Sequence, residues 1–183
     1  STEMGRKLGK FVTERFGKSI MELGGNNAMI VTPSANMQLA LQAIIFSSAG
    51  TCGQRCTSLR RLFVHESIID DLKLKIKNHF MKLKIGNPFE EEIVVGPIIS
   101  QVAFDTMQKM LQKCKNEGGK ITGGERISRD NDNAFYVRPA IVEFNKPNDI
   151  TKVETFAPIL YIMPYKNLDD AIKMHNDVGQ GLS

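Results

Sequence analysis

The sequence predicts an α/β fold with a largely parallel sheet flanked by helices. Apolar, β-branched runs of strand length alternate with amphipathic stretches of helix length along the 183 residues. Clusters of glycine, proline and asparagine separate the two kinds of stretch. Hydrophobic residues make up 42% and charged residues 24%, which is typical of a soluble globular protein, and no apolar run has the length of a membrane span.

Helices are predicted where apolar residues recur at helical spacing behind a capping residue. Ser1 and Ser67 stand where N-caps of two helices are expected, and Asn167 stands before the last helix. The predicted helices span residues 1–16, 36–48, 67–83, 100–116 and 169–176.

Strands are predicted where short β-branched and apolar runs lie between turn residues. A polar turn is predicted over residues 129–133. The predicted strands span residues 19–23, 28–31, 61–65, 120–122, 135–143 and 158–165.

The segment 47–58 carries the strongest chemical signal. It places Cys52 and Cys56 among small residues and two glycines, between a predicted helix and a predicted strand. A cysteine on such a loop is well placed for exposure at a cleft, and Arg55 and Arg60 would favour the reactive thiolate if they reach it.

The remaining cysteine chemistry is limited. Three cysteines with irregular spacing do not form a disulfide framework and favour a reducing, cytoplasmic compartment. Cys114 lies in a predicted helix and is interpreted as an inert apolar residue. Cys52 and Cys56 would supply only half of a zinc site, and the three histidines lack ligand spacing, so no metal is predicted.

Two glutamates are candidates for general-base chemistry. Glu22 ends a predicted strand before a glycine pair, where burial would raise its pKa and suit it to act as a general base. The alternative is an ordinary exposed glutamate, and Glu154 leaves the same two readings open.

Nucleotide and nucleic-acid motifs are incomplete. Lys18 follows Gly17 as in a phosphate-binding loop, but Val12 stands where that motif needs glycine, and no G-x-G-x-x-G occurs. The net charge of +4 is spread along the chain. Its densest lysine run, 73–84, alternates with apolar residues, the Phe80–Met81 pair among them, as on the solvent-exposed face of an amphipathic helix. No nucleic-acid partner is predicted.

Three motifs stand in order along the chain. They are Met-Glu-Leu-Gly-Gly-Asn-Asn (21–27), Gly-Gln-Arg-Cys-Thr (53–57) and Glu-Thr-Phe-Ala-Pro-Ile-Leu (154–160). Together they closely resemble the NAD(P)-dependent aldehyde dehydrogenase superfamily over essentially the whole chain. Their residues are most similar to those of the antiquitin branch. Members of that branch oxidise α-aminoadipic semialdehyde, which is in equilibrium with piperideine-6-carboxylate, in lysine degradation. The resemblance therefore implies the α/β catalytic domain of that family.

The resemblance assigns catalytic roles to two residues. Cys56 would be the nucleophile that forms a thiohemiacetal and then a thioester, with its backbone N–H holding the oxyanion. Glu22 would activate the water that hydrolyses the thioester.

The resemblance also assigns binding roles for NAD or NADP. Glu154 would bind the nicotinamide ribose and Phe156 would pack beside the cofactor. Leu23 would meet the nicotinamide amide through its backbone carbonyl, and Ser1 would lie by the pyrophosphate at a helix N-terminus. Arg55 would pair with a substrate carboxylate.

The resemblance implies a chain shortened at both ends relative to the family. Residues 1–17 would be the last helix of the cofactor domain and residues 18–183 the catalytic domain. The implied partners are a small-molecule aldehyde, the remainder of the dehydrogenase chain and, when intact, further copies of it; no membrane partner is expected. The 183 residues alone are expected to lack dehydrogenase turnover. Two alternatives stay open, a residual cysteine esterase and a non-catalytic interaction module.

Overall fold

Five strands form one sheet within the residues that the computed structural model describes, 1–128 and 133–182. They are β1 (Asn27–Val31), β2 (Leu59–His65), β3 (Lys120–Thr122), β4 (Ala140–Glu143) and β5 (Ile159–Tyr165). Their order across the sheet is β1-β2-β5-β4-β3. All neighbours are parallel except β3, which pairs antiparallel with β4 at one edge. The predicted largely parallel α/β sheet is confirmed.

Two interior strands, β2 and β5, explain why the sheet is parallel and buried. Leu62, Phe63 and Val64 of β2 are fully buried, as are Leu160 and Met163 of β5. Near-continuous apolar strands of this kind are stable only when both faces of the sheet are covered. Helices provide that cover.

The helices begin close to the predicted caps. Their bounds are α1 (Thr2–Glu14), α2 (Met37–Ala49), α3 (Ile69–Lys82), α4 (Gln101–Asn116) and α5 (Leu168–Asn176). The side chains of Ser1, Asn36 and Ser100 each accept a hydrogen bond from a backbone N–H in the first turn of their helix. α2 packs beside α3, α4 lies against β3 and α5 lies against β5.

The strand predicted over residues 19–23 is wrong. Residues 17–26 have no regular secondary structure, and Ile20 is 96% exposed. Met21 and Leu23 lie instead against Gly9 and Gly5 of α1. The apolar residues in this stretch therefore contact α1, and the backbone, which is not paired in the sheet, runs along the site described below.

Two further predictions need correction. Ser67 does not cap α3, because its hydroxyl lies 2.8 Å from Nδ1 of His65 and the helix begins at Ile69 without a side-chain cap. The strand predicted over 135–143 is shortened to β4, since Pro139 lacks the N–H that a continuous ladder needs. The polar turn predicted over 129–133 lies outside the described residues except for Asn133.

α1 differs from the other helices in its surroundings. None of its residues is buried. Met4, Leu8 and Phe11 follow one another at helical spacing and are all exposed, with Phe11 at 66%. In the described part of the chain, no helix combines the length and the apolar character needed to cross a membrane.

Candidate active site around Cys56

Residues 50–58, the cysteine loop, connect α2 to β2 and begin with a turn of left-handed backbone. Thr51, Cys52 and Gly53 have φ of 51°, 55° and 63° in succession. Such backbone is uncommon for residues with a Cβ and concentrates at functional sites. A Cβ at position 53 would overlap the backbone carbonyl of Ala157, so only glycine fits there. The turn places Cys56 between α2 and β2, as predicted.

Cys56 is the most accessible of the three thiols. Its side chain is half-buried, whereas Cys52 and Cys114 are buried. Burial raises the pKa of Cys52 to about 12 and also raises the pKa of Cys114. The thiolate is the reactive form of cysteine, so Cys56 alone has the access that a nucleophile requires.

Alkylation should separate the three cysteines. At about pH 8, near the ordinary thiol pKa, we expect iodoacetamide to label Cys56 and spare Cys52 and Cys114 in the folded chain. Their raised pKa values keep both buried thiols protonated at that pH. Peptide mapping by mass measures the label, and the denatured chain, in which all three should react, is the control. Equal labelling of all three in the folded chain would contradict this assignment.

Asn27 joins the first motif to the cysteine loop. Its Nδ2 donates to the carbonyl oxygens of Cys56 at 2.7 Å and Ser58 at 2.9 Å. A Cβ on Gly25 would overlap the same Cys56 carbonyl. The parallel pairing of Asn27 with Leu59 at the start of the β1–β2 ladder brings the two segments together. The backbone that follows Glu22 is therefore packed directly on the backbone of Cys56.

Glu22 and Leu23 line an open cleft. With Thr2, Arg6 and Gly24 they border a cavity of about 570 Å³ that residues 179–182 close on the other side. The Glu22 side chain is exposed. Glu22 is therefore not buried as the sequence prediction expected, and its role as a base stays a prediction.

Glu154 approaches the loop from the third motif. Its Oε1 accepts a hydrogen bond from the Gly25 N–H at 3.1 Å and lies 3.7 Å from Nη2 of Arg60. Among the described residues no hydrogen bond to Oε2 is formed. Phe156 is 46% exposed, and its ring centre lies 5.4 Å from Cζ of Arg60.

The chemistry of these groups is compatible with the part of a nicotinamide nucleotide that the family resemblance implies for them. A carboxylate oxygen without a protein partner suits a ribose hydroxyl, which is a hydrogen-bond donor. The exposed face of Phe156 suits a flat ring. The accepting carboxylate of Glu154 and the exposed ring of Phe156 are therefore compatible with NAD or NADP.

Two predicted binding residues have structural partners. The Arg55 guanidinium donates to the Phe46 carbonyl at the end of α2 at 3.2 Å and lies 5.0 Å from the centre of the Phe46 ring. Its Nε is buried and has no hydrogen-bond partner among the described residues. The Ser1 hydroxyl accepts from the Met4 N–H at 3.4 Å as the cap of α1. Neither contact tests the predicted roles in substrate and pyrophosphate binding.

The sequence interpretation missed three residues that hold the loop in place. From the sequence, Asn27 and Gln54 are only positions within a motif, and Arg60 is only a charge near the cysteine. Gln54 Nε2 donates to the Pro97 carbonyl at 3.1 Å, and its Oε1 accepts from the Ile99 N–H at 2.9 Å. Two adjacent arginines in an otherwise apolar strand were the available signal for Arg60, since a buried cation needs hydrogen-bond partners. Among the described residues, no cluster of three or more possible ligands is placed to hold a metal ion.

Comparison with known proteins decides the family. The model of the aldehyde dehydrogenase family matches residues 1–183. The chain belongs to the aldehyde dehydrogenase family. The family predicted from the three motifs is thereby confirmed.

Individual members of the family show how much of it the chain spans. It is 44% identical to aldehyde dehydrogenase family 7 member A1 of Malus domestica and 41% identical to alpha-aminoadipic semialdehyde dehydrogenase of Rattus norvegicus. Each match covers 100% of this chain but only 36% and 34% of those relatives. The chain thus spans about a third of their length.

A solved aldehyde dehydrogenase shares the fold. Betaine aldehyde dehydrogenase of Staphylococcus aureus, in complex with NAD+, superimposes with a TM-score of 0.93 at 26% identity, over 97% of this chain and 36% of that one. The predicted fold of an aldehyde dehydrogenase is confirmed.

Proposed function

We propose that these residues are the catalytic part of an enzyme that oxidises an aldehyde to a carboxylate with NAD(P)+. One observation carries the proposal: Asn27 of the first motif binds the carbonyl of the half-buried Cys56, and Arg60 joins residues 154–155 to the same loop. The relatives named for α-aminoadipic semialdehyde favour that compound, in equilibrium with piperideine-6-carboxylate, as the substrate. Its oxidation would belong to lysine degradation.

The first step uses the Cys56 thiolate. Its sulfur attacks the aldehyde carbon, an S–C bond forms, and the carbonyl electron pair moves onto oxygen to give a thiohemiacetal. The backbone N–H of Cys56 donates to that oxygen. When bound, NAD(P)+ supplies the hydride acceptor that lets the thiohemiacetal become a thioester.

The second step uses water and Glu22. The Glu22 carboxylate removes a proton from water as the water oxygen bonds to the thioester carbon. The C–S bond then breaks and releases the carboxylic acid and the Cys56 thiolate, and the acid and the protonated Glu22 each lose a proton to solvent. The exposed position of Glu22 on the cleft gives solvent access to the base.

Four residues of this chain would hold the cofactor. Glu154 Oε2 would bind a ribose hydroxyl, and Phe156 would pack against the nicotinamide. The Leu23 carbonyl would accept from the carboxamide, and Ser1 would lie near the pyrophosphate. Leu23 borders the cleft, which supports the assignment.

We further propose that residues 1–17 complete a cofactor domain and residues 18–183 form the catalytic domain. The exposed Met4, Leu8 and Phe11 support this, because an amphipathic helix buries such a stripe against another element. The partner would be the remainder of the dehydrogenase chain, and the intact enzyme would be a homo-oligomer.

A chimera tests the proposed activity. In the rat relative, the 184 matched residues are replaced with this chain, and NAD-dependent oxidation of α-aminoadipic semialdehyde is followed by NADH absorbance. We expect turnover that Cys56→Ala abolishes, and no NADH from the 183 residues alone. A folded chimera without turnover contradicts the proposed function.

Arg55 has a prediction of its own. In the chimera, Arg55→Met should lower kcat/KM for α-aminoadipic semialdehyde by about 10- to 100-fold, because a hydrogen bond to a charged group contributes about 1.5–3 kcal/mol. An aldehyde without a carboxylate, such as hexanal, is the control and should be unaffected. An equal loss for both aldehydes would show that Arg55 acts only by holding the end of α2.

A cysteine esterase is the second candidate. It is favoured by the fact that the nucleophile, its backbone N–H and the contacts that fix its loop all come from the described residues. Ester turnover that survives Cys56→Ala would eliminate it. The third candidate, a non-catalytic interaction module, rests on the exposed stripe of α1 and predicts self-association without thiol reactivity.

A further inference from the structure

Arg60 is a buried cation beneath the cysteine loop. It is the second residue of β2 and only 2% exposed. Burial lowers the pKa of Arg60, and the nearby charge of Glu154 acts in the opposite direction. A buried guanidinium destabilises a fold unless hydrogen bonds and a counter-charge compensate it. The position of those compensating groups indicates what Arg60 does.

The guanidinium binds the cysteine loop at two carbonyls. Nη2 donates to the carbonyl of Arg55 at 3.0 Å, and Nη1 donates to the carbonyl of Gly53 at 3.2 Å. The Arg55 carbonyl shares its planar trans peptide with the N–H of Cys56. Fixing that oxygen therefore fixes the direction of the N–H, because the two groups point to opposite sides of one rigid plane.

The same guanidinium binds the third motif. Nη1 also donates to the carbonyl of Thr155 at 2.6 Å, and Nη2 lies 3.7 Å from the Glu154 carboxylate. Glu154 in turn accepts from the N–H of Gly25, which packs on the Cys56 carbonyl. One side chain thus connects the nucleophile, the carboxylate assigned to the cofactor ribose and the segment that follows Glu22.

We propose that Arg60 is a positioning residue that orients the Cys56 N–H toward the oxyanion and holds the cysteine loop next to Glu154. The proposal rests on the proposed function, in which that N–H is the oxyanion donor. A lysine cannot replace Arg60, since one ammonium group does not reproduce a planar fork that spans several carbonyls.

Two reagents distinguish positioning from simple stability. Acylation of Cys56 by p-nitrophenyl acetate develops an oxyanion, whereas alkylation by iodoacetamide does not. We measure both second-order rates on the 183-residue chain, with the modified peptide identified by mass. For Arg60→Lys we expect acylation to fall about 10- to 100-fold, while alkylation changes less than about threefold. A parallel fall in both rates would overturn the proposal.

Arg138→Lys is the matched control. Arg138 also donates to a backbone carbonyl, that of Met81 at 3.2 Å, and to a carboxylate, that of Glu125 at 2.9 Å, away from the cysteine loop. It should leave the ratio of acylation to alkylation at the wild-type value. A fall in that ratio as large as the fall for Arg60→Lys would overturn the proposal.

A second variant covers loss of folding. If circular dichroism shows that Arg60→Lys is unfolded, the same ratio is measured on Arg60→Met, whose apolar side chain suits a buried site. Failure of both variants to fold while Arg138→Lys folds would overturn the proposal, because Arg60 would then act in folding alone. If the wild-type chain is not acylated at Cys56, the proposed function itself fails; if it is acylated and Arg60→Lys keeps the ratio, only the role of Arg60 fails.

Discussion

Cys56→Ala is expected to abolish the burst of p-nitrophenolate that the wild-type chain releases from p-nitrophenyl acetate. Cys56 carries the half-buried thiol of the loop, Asn27 binds its backbone carbonyl, and Arg60 binds the carbonyl of the preceding residue, Arg55. Removal of a nucleophile leaves no acyl acceptor, so the expected effect is complete loss and not a reduced rate. Stopped-flow absorbance measures the burst.

Two matched variants control for the loss of any thiol. Cys114→Ala removes a buried thiol from α4, and Cys52→Ala removes one four residues before Cys56. Both should retain a burst of one acyl group per chain at residue 56, as shown by mass. A burst that persists in Cys56→Ala and disappears in Cys52→Ala would reverse the assignment of the nucleophile.

Glu22→Gln is expected to separate the second half-reaction from the first. The burst should be unchanged, because acylation needs only the thiolate and the oxyanion donor. The steady-state phase, which reports hydrolysis of the acyl group, should slow by about 10²- to 10⁴-fold, the usual contribution of a general base. The two phases are read from one progress curve.

Glu14→Gln is the control for Glu22. Glu14 is also an exposed glutamate, but it lies at the end of α1. Its replacement should leave both phases at the wild-type rates. If Glu22→Gln hydrolyses the acyl group as fast as wild type, another group activates the water and the role of Glu22 is wrong.

Much of the fold could be predicted because it depends on local patterns. The alternation of apolar runs with amphipathic stretches predicted the sheet and all five helices, and Ser1 and Ser100 cap their helices as side-chain oxygens do. The stretch 19–23 failed because its apolar side chains contact α1 and not a neighbouring strand. Periodicity shows that a residue is apolar, but it does not show which surface buries it.

The residues of the site also divide into those that the sequence could predict and those that it could not. Cys56 was predictable because its loop, its small neighbours and the surrounding motif all lie within a few residues. Asn27 and Arg60 were not, since Asn27 binds a carbonyl 29 residues away along the chain and Arg60 joins the loop to the Thr155 carbonyl 95 residues away. The side chains of Arg60 and Arg61 also diverge, because neighbours on a strand point to opposite faces; Arg61 binds the carbonyls of Asn26 and His175 instead.

Apart from the strand wrongly predicted over residues 19–23, the sequence by itself determined the order of helices and strands. It also determined the family through its three motifs and the cysteine on which the proposed chemistry depends. Only the tertiary structure decided which polar groups fix that cysteine, because parallel strands bring together segments that are far apart in the chain. It also decided that Cys52 is shielded while Cys56 is not, although both sit in one loop. Burial and hydrogen-bond direction are set by that packing, and no local pattern encodes them.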